Sequence, residues 1–254
     1  MKKQLIILIT CHNCLKTIFN TLISIEKQKY KNYVILLSED GSNELINSTE
    51  FLYYQKYIPI FYWNNKFNMV SKNRNFLLRK AKQFSNESIL LRCDSDDVLN
   101  NEYILRNVYK NFETFSNYRK RCTILLGSNE QKVDSEIIRF NVATNKLKKI
   151  SFLLEKLFCM KKGFLECELP SSNFVYKNYL NFYYPFFSSA EDHFLLVEKL
   201  LSYHNSKEFR IDEDLIMINY SINGNLTKKN KERQFYLESR KFLFEHFKRR
   251  LNGL

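Results

Sequence analysis

The chain has 254 residues, of which 44% are hydrophobic and 15% aromatic. That composition excludes a disordered chain and suffices for one large domain or two small ones. Lys and Arg number 40 against 27 Asp and Glu, a formal net charge of +13, so polyanions such as nucleotides, nucleic acid or an anionic membrane face are the partners that charge favours.

The segment "QLIILIT" is continuously apolar and rich in Ile, which predicts a buried strand. It is too short for a signal peptide, and no other run reaches the roughly 18 apolar residues of a membrane helix. Six cysteines, spread singly apart from Cys11 and Cys14, offer no disulfide framework. A cytoplasmic protein is expected, soluble or peripheral at the inner face of the plasma membrane. After the polar cluster Thr10 to Asn13, Leu15, Ile18, Phe19, Leu22 and Ile25 recur at helical spacing. "YVILLS" is a second buried strand, ending in Glu39, Asp40, Gly41 and Ser42. "IPIFYW" reads as a third strand, "NRNFLLRKAKQF" as a helix, and "SILLR" as a fourth strand that delivers Asp94, Asp96 and Asp97. Strands alternating with helices predict a parallel α/β sheet, in which ligands bind outside the carboxyl ends of the strands. All three polar clusters lie at such ends.

Farther on, strands are expected at 122–126 and 137–142, with a helix over "SSAEDHFLLVEKLLSY" capped by Ser188 or Ser189. A basic, aromatic helix is expected over 229–251; from Lys228 onward nine Lys or Arg stand against three Glu, a local charge of +6. No repeat or low-complexity linker interrupts the chain. It is therefore divided into a domain over 1–227, with halves at 1–100 and 101–227, and a C-terminal appendage over 228–254.

Three carboxylates within four positions repel one another and favour protonation. A solvated turn that starts a helix is one reading of them. A calcium loop is another, but Leu99 and Leu105 stand where its Gly and Glu belong. The third is a site for hard Mg²⁺ or Mn²⁺, which shares a few carboxylates with phosphate oxygens and water. Cys11-His12-Asn13-Cys14 sits between a strand and a helix, where a redox pair would stand. No second pair completes a zinc site, so two small semi-buried residues are the simpler reading. Glu191 and Asp192 suit a helix first turn and equally suit a catalytic base.

Taken in order, "LIILITCHN", "SIEKQKYKNYVILLSEDGSNE", "NRNFLLRKA", "LLRCDSDDVL" and "SSAEDHFLLVEKL" resemble the family-two inverting glycosyltransferases. The resemblance implies the GT-A fold: a mixed, mostly parallel α/β sheet flanked by helices, here with a C-terminal helical appendage. The first hundred residues would then form the nucleotide-binding half and 101–227 the acceptor-binding half. By the same resemblance Asp40 hydrogen-bonds the nucleotide base, most often uracil, beside Glu39, while Thr10 and Asn13 line the nucleotide pocket. Arg74 binds near the phosphates or ribose. Asp94 and Asp96 form the DxD pair that holds Mn²⁺ or Mg²⁺, with Asp96 the first choice as ligand and Asp97 a helper. Asp192, with Glu191 as the alternative, is the base, and Thr227 and Lys228 touch the diphosphate. Three positions depart from the pattern: Glu39 replaces an Asp, Asn73 replaces a small residue, and "KFNMVSKN" lacks a glycine.

The implied partners are a nucleotide-sugar donor, most often a UDP-sugar, and a hydroxyl of a glycan or lipid-linked acceptor. The aromatic basic tail suits an anionic membrane surface or packing on the domain, and no nucleic acid is expected. A non-enzymatic polyanion binder would explain the charge but not acidic strand ends, which repel phosphate. A related nucleotidyltransferase would carry a glycine-rich phosphate loop, and "TCHNCLKT" has no glycine.

Overall fold

The structure, a computed structural model, describes residues 4–46, 49–99 and 101–119, the segments 124–133, 136–140, 174–177 and 209–220, and Glu245 and Arg249. The first four strands and three helices are β1 (Leu5–Cys11), α1 (Ile18–Glu26), β2 (Tyr33–Asp40), α2 (Thr49–Tyr57), β3 (Ile60–Asn65), α3 (Val70–Ala81) and β4 (Ile89–Arg92). The chain continues through β5 (Asp97–Leu99), α4 (Ile104–Arg119), β6 (Ile124–Val133), β7 (Glu136–Phe140), β8 (Phe174–Lys177) and β9 (Phe209–Tyr220). One sheet orders its strands β3-β2-β1-β4-β8-β6-β9-β5, with β7 paired to β6. The pairs β1–β2, β1–β4 and β2–β3 are parallel, whereas β4–β8, β6–β8 and β5–β9 are antiparallel.

This is the mixed α/β sheet expected from the sequence, with its parallel half built by the first hundred residues. Central β1 is paired along both edges, and Leu5, Ile6, Ile7 and Ile9 are fully buried. That double cover is why the segment is continuously apolar rather than alternating. Ile18, Leu22 and Ile25 of α1 join the same core, each burial stabilising the fold by about 1.5–3 kcal/mol.

Five elements, α2, β5, α4, β8 and β9, have no counterpart in the sequence reading. Helix α2 buries only Phe51 and Tyr54 and leaves Leu52, Tyr53 and Tyr57 exposed, so its apolar pattern is too sparse to announce a helix. Strand β5 takes up part of the acidic stretch, because Asp97–Leu99 finds a partner in β9, far along the chain. The helix expected over "SSAEDHFLLVEKLLSY" lies outside the described residues, and so does nearly all of the basic tail.

Asn73, where the resemblance expects a small residue, is held at the junction of α3 with β2. Its side chain is buried; its Nδ2 donates to the Ser38 carbonyl at 3.0 Å, and its Oδ1 accepts from the Ser38 hydroxyl. Asn65 Nδ2 donates to that same hydroxyl at 2.8 Å.

Gln28 has a comparable duty. Buried at the end of α1, it donates to the carbonyls of Ser24 at 3.1 Å and Asn101 at 2.7 Å and accepts from the Leu105 amide at 3.0 Å. One side chain thus supplies an acceptor to an N–H in the first turn of α4, which has no partner within the helix. Tyr30, two residues on, stacks on Tyr109 of α4 with ring centroids 4.9 Å apart. Replacing Gln28 by the similarly sized Leu strands the Asn101 carbonyl and the Leu105 amide, each at about 1–3 kcal/mol. The expected result is a melting temperature lower by roughly 5 °C or more; an unchanged melting curve would contradict this role.

Candidate active site

Parallel pairing sets Thr10 against Ser38 and Cys11 against Glu39, and Asp40 against Asn65 on the next strand. The polar ends of β1, β2 and β3 therefore emerge side by side. Asn13 sits at a φ of 51°, a left-handed conformation that Asn tolerates better than most residues. From there its amide donates to Ser42 Oγ at 2.9 Å and its Oδ1 accepts from the Asn43 amide at 2.8 Å. His12 Nδ1 lies 2.7 Å from the Asp40 carbonyl; a carbonyl only accepts, so Nδ1 carries the proton. Asn13 Nδ2 donates to the other ring nitrogen at 3.2 Å. The exposed His12–Asn13 pair thus ties the β1 loop to the β2 loop.

Asp40 is turned inward. Its carboxylate accepts the backbone amides of Phe67 at 2.5 Å, Asn68 at 2.9 Å and Met69 at 3.1 Å, and the residue is only 5% exposed. Of the roughly four lone-pair sites of a carboxylate, three hold the loop that leads into α3. The resemblance gives this carboxylate to the nucleotide base; in the structure it anchors the loop that leads into α3. Gly41, next to it, has a φ of 65°, and a Cβ there would stand 2.3 Å from Asn68 Oδ1. Only glycine fits that turn without strain.

Glu39 is also internal. Its Oε2 accepts the Tyr62 hydroxyl at 2.5 Å and the Ile46 amide at 3.2 Å, while Oε1 has no hydrogen-bond partner. Burial, and then the bond to Glu39, push the Tyr62 phenol up. The Glu for Asp exchange is thus read by Tyr62, behind the loops. Cys11 and Cys14 are buried free thiols. Burial first, and Cys14 beside it, push the Cys11 thiol well up, which makes a packing residue of it rather than a reactive thiolate.

Thr10 and Arg74 do meet. Together with Leu8, Leu77, Leu78 and Arg92 they line a narrow cleft, with room for about one water, between β1, β4 and α3. Arg92 leaves that cleft as a two-pronged clasp on Asp94, Nε to Oδ1 at 2.8 Å and Nη2 to Oδ2 at 2.8 Å, the bidentate geometry favoured by guanidinium and carboxylate.

Asp94, Ser95 and Asp96 form the turn between β4 and β5, and Asp97 opens β5 with its side chain buried. The Asp97 amide donates to the Asp94 carbonyl at 3.0 Å, and the Asp94 amide to Asp97 Oδ2 at 3.3 Å. Burial, followed by the charge of Asp94, pushes the Asp96 carboxyl up to about 6. Burial, then Asp94 and Asp96, hold Asp97 well above the ordinary carboxylate range. Arg92 offsets part of the charge, yet three acids this close still disfavour one another's ionisation. Among the described residues no three His, Cys, Asp or Glu side chains are set as a complete metal cage. With Asp94 clasped by Arg92, the donors fit a hard cation that takes one or two carboxylates and completes its shell with phosphate oxygens and water.

Glu191, Asp192, Thr227 and Lys228 lie outside the described residues. The supporting residues Ser38, Tyr62, Asn65 and the 67–69 amides were not foreseen. Backbone amides leave no mark in a sequence, and a Ser, Tyr or Asn in a strand has many innocent readings.

The acidic turn has a sign that can be checked. Asp97 is held above the ordinary carboxylate range in the folded protein, whereas the unfolded chain titrates near 3.9, so stability falls as pH rises above about 4. Asp97→Asn keeps an oxygen for the Asp94 amide and removes the charge. Its melting temperature is expected to exceed that of the wild type, with a margin that grows from pH 5 to pH 8 in EDTA. A variant less stable throughout that range would contradict the repulsion.

Comparison with known proteins bears on the fold. No curated protein sequence matches the chain. Among solved structures, Staphylococcus aureus TarS (residues 1–349) in complex with UDP-GlcNAc superposes with a TM-score of 0.63 at 19% identity, over 87% of this chain and 60% of that one. The mannosyltransferase PcManGT from Pyrobaculum calidifontis, in complex with GDP-Man and Mn²⁺, gives 0.60 at 11% identity, over 93% and 62%. Glucosyl-3-phosphoglycerate synthase from Mycobacterium tuberculosis, with Mn²⁺, UDP and phosphoglyceric acid, gives 0.52 at 11% identity, over 89% and 73%. The chain thus spans about 60% of the TarS structure, and at these identities the likeness is one of fold, GT-A. The Glycosyl transferase family 2 profile matches residues 6–147, more than half of the chain. By that match the protein belongs to glycosyl transferase family 2.

Proposed function

We propose that the chain moves a sugar from a nucleotide-sugar donor, a UDP-sugar, to a hydroxyl of a glycan or lipid-linked acceptor, with inversion at the anomeric carbon, as in the synthesis of bacterial surface polysaccharide or lipooligosaccharide. The observation that carries this reading is the acidic turn beside the cleft of Thr10 and Arg74. Acids that destabilise one another next to two guanidinium groups suit a cation and a diphosphate together. TarS with UDP-GlcNAc and PcManGT with GDP-Man and Mn²⁺ support the donor class.

In this reading the donor lies over the ends of β1 and β2. Thr10, Asn13 and the loops tied by Asp40 and Glu39 shape the nucleoside pocket, while Arg74 and Lys228 meet the diphosphate. Asp96, helped by Asp94 and Asp97, would hold Mn²⁺ or Mg²⁺, which supplies Lewis-acid stabilisation of the leaving diphosphate when bound. Asp192, with Glu191 as the alternative, takes the proton of the acceptor hydroxyl as its oxygen bonds to the anomeric carbon. The bond from that carbon to the diphosphate oxygen breaks, and the nucleoside diphosphate leaves with the electron pair. One displacement inverts the configuration. General-base assistance of this kind contributes about 10²- to 10⁴-fold.

Among the described residues no helix is long and apolar enough to cross a membrane. The +6 tail from Lys228 suits a lipid-linked acceptor at an anionic membrane face, where each basic residue contributes about 1 kcal/mol.

Two variants separate the roles. Asp96→Asn is expected to weaken Mn²⁺-dependent UDP binding at least tenfold. Asp192→Asn is expected to leave UDP binding within about twofold and to lower kcat by the roughly 10²- to 10⁴-fold of a lost base. Transfer at the wild-type rate by Asp192→Asn would overturn the base assignment.

A further inference from the structure

Helix α1 carries Thr21 and Ser24, three residues apart on one face, and Gln28 follows just past its end. All are buried, Thr21 completely. A buried polar side chain costs stability unless it is hydrogen-bonded, and each of these finds its partners in the chain that follows β4. Thr21 Oγ1 lies 2.8 Å from the Asp97 carbonyl and 3.1 Å from the Ser95 carbonyl. Its single proton is shared between the two. Ser24 Oγ donates to the Thr21 carbonyl at 2.7 Å and accepts the Leu99 amide at 3.1 Å. The thiol of Cys93 adds weaker contacts to the Asp94 carbonyl at 3.7 Å and the Asp97 carbonyl at 4.0 Å.

Asp96 therefore sits between two carbonyls drawn to one hydroxyl of α1. Repulsion among Asp94, Asp96 and Asp97 tends to splay the turn, and the shared hydroxyl opposes that. We propose that Thr21 is a positioning residue of the cation-binding turn: by pinning the backbone on both sides of Asp96 it fixes the direction in which the Asp96 carboxylate is presented. The proposal rests on the reading of the turn as a cation site. Without the tie, part of the binding energy would go into ordering the turn, and partners that orient a metal ligand from behind typically contribute 10- to 100-fold in affinity.

The test compares wild type, Thr21→Val and Thr21→Ser by electron paramagnetic resonance of added Mn²⁺, with amide hydrogen exchange of residues 94–99 as a second readout. Thr21→Val is expected to raise the Mn²⁺ dissociation constant about 10- to 100-fold and to speed exchange in the turn, and Thr21→Ser to restore both. A Thr21→Val protein that melts earlier yet binds Mn²⁺ as tightly as wild type would overturn the proposal and leave Thr21 a packing residue. Should Thr21→Val not fold, Ser24→Ala is expected to weaken Mn²⁺ severalfold, and an unchanged affinity there would overturn it equally. If the wild type itself binds no Mn²⁺, in the presence or absence of UDP, the cation site falls, and this proposal with it.

Discussion

The strand β1 is hydrogen-bonded along both edges, in parallel with β2 and with β4, and everything at the site depends on that double pairing. It forces the strand to be apolar throughout, and it delivers three chain reversals to one edge of the sheet. Thr10, Asp40 and the acidic turn become neighbours because their strands run in the same direction and register, although more than 80 residues separate the first from the last. A slip of one residue would turn each of these side chains to the other face.

The carboxylates gathered there are managed in different ways. Asp40 is absorbed by three backbone amides, Glu39 by Tyr62 and an amide, and Asp94 by the Arg92 fork. Asp97 is buried and pushed toward its neutral form. Asp96, half-buried and pushed up to about 6, is the acid our proposal gives to a ligand. On that proposal, holding a loop and holding a ligand are divided among acids that look alike in the sequence. A basic chain with such a turn is not well described as a general polyanion binder, because the acids stand at the very strand ends where an anion would approach.

The sequence reveals the repeating half of the fold and less of the rest. Strands β1, β2, β3 and β4 are short apolar runs bounded by polar clusters, and α3 has clear helical spacing, so their order and parallel pairing follow from pattern and connection rules. Helix α2 and strand β5 do not announce themselves, since one buries two side chains and the other owes its existence to β9, some 120 residues later. At the site the residue types of Asp94, Asp96 and Arg74 are informative by themselves. The inward turn of Asp40 is not, because it depends on backbone amides of the 67–69 loop, and neither is the duty of Asn73, which depends on Ser38 and Asn65. Thr21 and Ser24 did leave a trace: two polar residues at helical spacing on a helix whose other positions are largely apolar.

The most direct test of the central claim is a calorimetric titration of UDP, GDP and CDP into the protein, first with Mn²⁺ and then with EDTA. The account predicts that one diphosphate, UDP, binds with Mn²⁺ and loses most of its affinity in EDTA. Absence of binding by all three to a demonstrably folded protein would contradict it.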